Sequence, residues 1–248
     1  MIRAEGLRTV TIPARFNGPP DSGNGGYVSG RIAAFLPAAD DVHWPEITLR
    51  APTPLDTALT VGMHEDGTVP VTHGDTLVCL GRMATANLHT PAAPRLEQAL
   101  SGRRHFRCWD AHPLPTCFVC GTARAEGDGL RVFTGPFEGH TDFMVAAPWT
   151  PHASMAGPDG LITDDILWGA LDCPGAFAVD EATASGLKLL GRLSARIHRR
   201  PEPGTPLIVA GWYLGSEGRK HGAGTAVFDT DGALLAEAKA LWIELRAG

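Results

Sequence analysis

Three sets of residues in this sequence are of types that do chemistry. The first is Asn24-Gly25-Gly26, directly before YVSGRIAAFL (27–36), where Val28, Ile32 and Phe35 recur at helical spacing. Glycines at a helix start leave backbone N–H groups open to close approach, and the helix dipole favours negative charge there. A carbonyl oxygen that gains charge during a reaction would be stabilised at such a place. One preorganised donor is commonly worth about 3 kcal/mol of barrier. Asn24 adds a side-chain donor. The second is Asp172, at the end of TDDILWGALD (163–172), a helical stretch with Thr163 as a good N-cap and Asp164 and Asp165 in its first turn. A carboxylate near a helix C-terminus is opposed by the dipole, and Trp168 lies one turn back on the same face. An acid placed there among apolar neighbours can activate water or attack directly. The third set is Cys108, His112, Cys117 and Cys120, in which Cys-x-x-Cys is a usual pair of zinc ligands. Its first pair is C-x-x-x-H with a short gap to the second, which follows no strong zinc pattern, so no metal and no cofactor is expected. Cys173 adjoins Asp172, yet no histidine is tied to it by spacing, and it reads as a small buried residue.

The elements that must position these residues follow one plan twice. In the first half, RTVTIPARF (8–16) alternates as a strand does, NGPPDSGNGG (17–26) is turn-rich, and the 27–36 helix follows. Strand-like runs come next at 46–51, 58–65, 69–73 and 76–86, with Asp66-Gly67 and Gly74-Asp75 as hairpin turns. In the second half, 130–135 and 141–149 read as strands and 163–172 as a helix that Cys173-Pro174-Gly175 ends or kinks. Long strand candidates follow at 187–200, 206–215, 223–230 and 233–245, the last two joined by Asp231-Gly232. The run ALLAEAKAL has helical propensity, but its place after that turn assigns it to a strand. Residues 88–128 hold Pro, His and Cys with little periodicity and read as a linker and lead-in. A duplicated α+β unit results.

With 248 residues, 44% hydrophobic and 19% charged, the chain is long enough for one large or two ordinary globular domains. A net charge of −6 without a basic run argues against a nucleic-acid partner, while a local basic patch would suffice for an anionic ligand. Arg103-Arg104, Arg199-Arg200 and Arg219-Lys220 are candidates for such a patch. MIRAEGLRTVTIPARF lacks an apolar signal region, and no run is long enough to span a membrane. The five cysteines then suit reduced thiols in the cytoplasm.

The order of elements resembles the double-hotdog arrangement of acyl-CoA thioesterases. Asn24-Gly25-Gly26 looks like the His-Gly-Gly turn that opens the central helix in that family, and CFVCG (117–121) with GDGLRVF (127–133) resembles the C-x-x-C-G…G-L lead-in of small single-hotdog relatives. The resemblance implies an α+β tandem double hotdog, two antiparallel sheets each wrapping a central helix. The units would run 1–100 and 129–248, with 101–128 between them. Laid on the family's His-Gly-Gly-x-x-x-x-x-x-Asp pattern, the first half keeps the glycine turn but has Ala33 in place of the acid. The second half keeps Asp172 but has Thr163-Asp164-Asp165 in place of the glycine turn. In the family each site lies between two units, so the resemblance implies one composite site: Asn24 and Asp172 as catalytic groups, and Gly25 and Gly26 as oxyanion donors. Thr163 and Asp164 fall on substrate-binding positions, although a cap and a first-turn acid already account for them.

The implied activity is hydrolysis of an acyl-CoA or acyl-carrier-protein thioester, with no nucleic acid or membrane as partner and the chain a monomer or a homodimer. Two alternatives stand beside it. One is a non-catalytic acyl-CoA-binding protein, since the family's histidine is missing and AEAKALW (236–242) has no glutamine where larger relatives carry one. The other is a hotdog hydratase or dehydratase, whose histidine-bearing motifs are absent.

Overall fold

The computed structural model describes residues 8–139, 143–183 and 186–245. The first-half strands are β1 (Arg8–Thr11), β2 (His43–Leu49), β3 (Ala58–Val61), β4 (Val69–His73) and β5 (Thr76–Thr85), with helix α1 (Gly25–Ala33) after β1. Then come α2 (Leu96–Arg104), β6 (Gly135–Pro136), β7 (Val145–Trp149), α3 (Asp164–Ala170) and α4 (Cys173–Thr183). The chain closes with β8 (Lys188–Ile197), β9 (Leu207–Glu217), β10 (Lys220–Asp229) and β11 (Leu234–Glu244). Gly67, Gly74 and Gly232 take positive φ in the hairpin turns where the sequence places them. ALLAEAKAL lies in β11: its alternate residues pack into a sheet, and that burial outweighs helical propensity.

All strands form one antiparallel sheet in the order β1-β3-β4-β5-β2-β8-β11-β10-β9-β7-β6. Where two sheets are expected, the halves are continuous. β2 pairs with β8 through Glu46↔Ser194, Ile47↔Leu193 and Thr48↔Arg192. Read outward from this seam, the two sides repeat one order: β2-β5-β4-β3-β1 on one, β8-β11-β10-β9-β7 on the other. Edge-to-edge pairing satisfies the backbone groups of two strands that would otherwise be open edges.

Three expectations need correction. The 88–128 segment, read as a linker without periodicity, contains a helix, α2, which packs on β6, β7 and β9. Its buried face is only Ala99 and Gly102, too small to give a periodic apolar signal. Under it lies a second core of Phe137, Met144, Ile208, Trp212 and Phe228 on the outer face of the sheet. Residues 130–134 form no strand of the sheet. They bond to the lead-in instead, Leu130 N–H to Phe118 O (2.8 Å) and Val132 N–H to Val119 O (2.9 Å), with Arg131 at φ +58°. Of the expected strand 141–149, residues 141 and 142 lie outside the described residues, as do 1–7 of the N-terminal run. Finally, Cys173-Pro174-Gly175 begins a second helix. Proline is compatible with a first helical turn, and α4 continues to Thr183.

Helices α1 and α3 run in opposite directions against one another. A Cβ on Gly26 would lie 2.5 Å from Trp168 O and 2.6 Å from Asp172 Cβ. One on Gly30 would lie 2.6 Å from Asp165 Cα. Only glycine permits this approach, and the approach brings the start of α1 against the α3–α4 junction.

Candidate active site

Asp172 stands in the break between α3 and α4, and the Gly175 N–H of α4 bonds its backbone carbonyl (3.1 Å). It therefore lies just beyond the end of α3 and directly before the start of α4, so the dipole opposition expected from sequence is partly offset. The residue is 3% exposed. Oδ2 accepts two hydrogen bonds from α1, one from Asn24 Nδ2 at 2.7 Å and one from the Gly26 N–H at 2.9 Å. Oδ1 is buried and has no hydrogen-bond partner among the described residues. Burial pushes this carboxyl up to about 7; the Gly26 N–H opposes the shift, negative charge at Cys117 adds to it, and the Asn24 amide opposes it.

Asn24 serves two ends. Its Oδ1 caps α1 by accepting the Tyr27 N–H at 2.9 Å, which leaves the amide nitrogen to face Asp172. Val28 N–H bonds Asn24 O, so among the first-turn donors only Gly25 has no acceptor among the described residues. Gly25 borders the cavity. The sequence assigns both glycine N–H groups to one oxyanion. The structure divides them: Gly26 holds the carboxylate, and Gly25 borders the cavity without a bond to that carboxylate.

That space is a cavity of about 870 Å³, bounded by the 18–25 turn, the lead-in around Cys117, the α3–α4 junction and strand β8. Leu49, Leu114, Phe177, Leu190 and Trp242 give it apolar walls. Its size falls in the range that encloses a small organic ligand. Arg50, Arg107 and Lys188 also border it. Arg107 stands 3.9 Å from both Asp180 and Glu181, and Lys188 is paired with Asp180. None of the basic pairs singled out in the sequence lines it. Arg199 and Arg200 bind Asp229 and Asp159 instead (2.8 and 2.7 Å).

Thr163 and Asp164 do not join the site. The Thr163 hydroxyl donates to Asp165, and Asp164 lies 3.5 Å from Arg200. Asp165 reaches across to Arg31 at 3.3 Å. In the second half the helix start is thus occupied by ion pairs, and Ala33 offers no acid opposite it. The mismatch of the two halves leaves one junction with both parts.

The Cys-x-x-Cys segment also arrives here. Phe118 N–H bonds Asn17 O (2.7 Å), and Arg124 bonds Arg15 O (2.8 Å) and the Asn17 side chain, which ties the lead-in to the 18–25 turn. Cys117 Sγ lies 3.9 Å from Asn24 Nδ2 and 3.8 Å from Cys173 Sγ. Cys120 completes a buried trio. Cys108 and His112 border the cavity but stand apart from the trio. The sulfur contacts with Cys120 and Cys173 hold the Cys117 thiol well below its usual range, and the contact with Cys117 pushes those two thiols well above it. His112 Nδ1 accepts the Leu114 N–H (2.9 Å), its Nε2 is buried without a partner among the described residues, and burial lowers its pKa. Sequence spacing grouped His112 with metal ligands. The meeting of Cys173 with Cys117 across 56 positions has no local sequence signal at all.

No protein-family model matches the chain, and no curated protein matches it. Solved structures do. A candidate thioesterase of Novosphingobium aromaticivorans DSM 12444 superposes with a TM-score of 0.66 at 15% identity, over 99% of this chain and 98% of its own. A tesB protein of Mycobacterium avium subs paratuberculosis gives 0.60 at 15% identity, over 99% and 96%. A conserved protein with a hot dog fold from Alicyclobacillus acidocaldarius gives 0.59 at 11% identity, over 100% and 97%. These likenesses run the length of the chain and establish a hotdog fold. Among the described residues, no helix is long and apolar enough to cross a membrane.

Proposed function

We propose that this hotdog chain hydrolyses acyl thioesters, with acyl-CoA or an acyl-carrier protein as substrate, at a single composite site between the halves of a tandem double hotdog. In this reading the units run 1–100 and 129–248, with 101–128 between them. One observation carries the reading: a buried carboxylate from the second half, in a residue that borders the cavity, is held on one oxygen by the helix start of the first, and its other oxygen has no partner among the described residues. Two solved structures that share the fold over nearly their whole length are a candidate thioesterase and a tesB protein, which agrees with this chemistry.

In this reading the thioester carbonyl bonds the Gly25 N–H, with the acyl group against the apolar wall. The Asp172 carboxylate takes a proton from a water molecule as the water oxygen attacks the carbonyl carbon. The resulting oxyanion is stabilised by the Gly25 N–H and the start of α1. The C–S bond then breaks, and the proton held by Asp172 passes to the departing thiolate, releasing acid and free thiol. Asn24 and Gly26 position the carboxylate and keep it partly ionised near neutral pH. Arg50 and Arg107, at the cavity, are the cations available to a phosphate-bearing carrier arm.

The test is free-thiol release from a panel of acyl-CoAs differing in chain length, branching and aromatic character. Turnover of at least one member that falls by about 100-fold or more in Asp172→Asn supports the reading. Tight acyl-CoA binding without turnover across the panel replaces it with the acyl-binding alternative.

A further inference from the structure

The cysteine trio is not used by the reaction above, although it forms part of the same cavity wall. Cys117, Cys120 and Cys173 are buried, and their sulfur atoms lie within 4.8 Å of one another. A tetrahedral zinc with Zn–S bonds of about 2.3 Å places its sulfurs roughly 3.8 Å apart. The Cys117–Cys173 separation is already 3.8 Å. The backbone around the first ligand is also formed. The Gly121 N–H bonds Cys117 O at 2.9 Å, so the Cys-x-x-Cys turn folds back on its first cysteine. Gly121 closes the turn where a Cβ would sit 2.4 Å from Cys117 O.

A second observation points to the same place. Asp172 follows the chain directly into Cys173, and its Oδ1 is a buried oxygen without a partner among the described residues. It lines the cavity together with all three cysteines. Three soft sulfur donors form a donor set for a thiophilic divalent ion, and the fourth position of a tetrahedron around it is left for the cavity that they line. The cavity, the trio and Asp172 occur together because the α3–α4 break and the Cys-x-x-Cys turn meet at the start of α1.

The geometry points to a three-cysteine metal site at Cys117, Cys120 and Cys173, taking zinc or a similar thiophilic divalent cation with its fourth position open to the cavity. Binding converts the thiols to thiolates and displaces their protons. The proposal does not depend on thioester hydrolysis, since its readout is the ion itself.

The experiment is a titration of the full chain, reduced and stripped with chelator, with Co²⁺ alone. Expected are thiolate-to-cobalt charge-transfer absorption and tetrahedral d–d bands that saturate at one cobalt per chain, and their loss on adding one equivalent of Zn²⁺. Cys79→Ala, on β5 and outside the trio, keeps this spectrum. Cys120→Ala lowers the charge-transfer intensity per cobalt and weakens binding by at least about tenfold, a ligand mattering no less than its supporting shell. No charge-transfer band in the wild-type chain, with the trio's thiols still reactive to a thiol reagent after unfolding, overturns the proposal. Metal binding without hydrolysis removes only the proposed function; hydrolysis without metal binding removes only this inference.

Discussion

At the scale of single residues the account rests on Asp172 and the two groups that bond its Oδ2. A carboxyl raised to about 7 must lose its proton before it can act as a base. The expected kcat/KM profile therefore climbs with pH to a plateau, with its midpoint near 7, measured as thiol release under substrate-limited conditions. Asn24→Ala removes a donor that favours the ionised form, so the midpoint moves to higher pH. The same change removes the α1 cap, worth about 1 kcal/mol, seen as a Tm lower by roughly 2–4 °C. Linkage gives a second test. The folded carboxyl sits above its unfolded value of 3.8, so the native state binds the proton more tightly. Its contribution to stability is complete below the unfolded value and is lost as pH rises through about 7. The span from 3.8 to about 7 corresponds to roughly 4 kcal/mol. Asp172→Asn is accordingly expected to be more stable than wild type at pH 8 in urea unfolding, with the gain vanishing near pH 4. Equal stability of the two at pH 8 would mean that the buried carboxyl is not strained.

At the scale of elements, the important contact is that of α1 with α3. Gly26→Ala drives a Cβ into Trp168 O and Asp172 Cβ, and backbone on one side leaves little room to yield. A loss of about 1–3 kcal/mol is expected, together with lost turnover. Gly30→Ala meets Asp165 Cα one turn further on and should cost similar stability while leaving the midpoint of the pH profile in place. Much of this level was legible in the sequence. Asn24-Gly25-Gly26 before a periodic run marks a helix start, and Asp-Gly pairs between alternating segments mark hairpins, because turn chemistry is local. Two elements were not legible. α2 buries only small residues, so its face carries no apolar stripe. α4 begins at Cys173-Pro174-Gly175, where a proline that can end one helix opens the next.

At the scale of the whole molecule, one sheet joins two copies of the same strand order through β2 and β8. Chain duplication was readable from the repeated plan. The seam was not, because which edge strands pair is decided by their meeting across 146 positions, as for Ile47 and Leu193, both fully buried. Leu193→Ala should cost about 2–5 kcal/mol. Urea unfolding followed by tryptophan fluorescence and by far-UV circular dichroism should give one coincident transition, since the seam and the α1–α3 contact bind the halves together. The candidate site was legible only in its parts: an acid and a glycine turn, each missing from the other half. That the turn's second N–H would bind the acid, and that three cysteines would gather beside it, depends on tertiary packing alone. The most direct measurement of the composite site is a double-mutant cycle on kcat/KM with Asn24→Ala from the front half and Asp172→Asn from the back. Groups acting as one unit predict that the double variant is scarcely slower than Asp172→Asn alone. Losses that simply multiply would show that the two residues act independently, and would contradict the account.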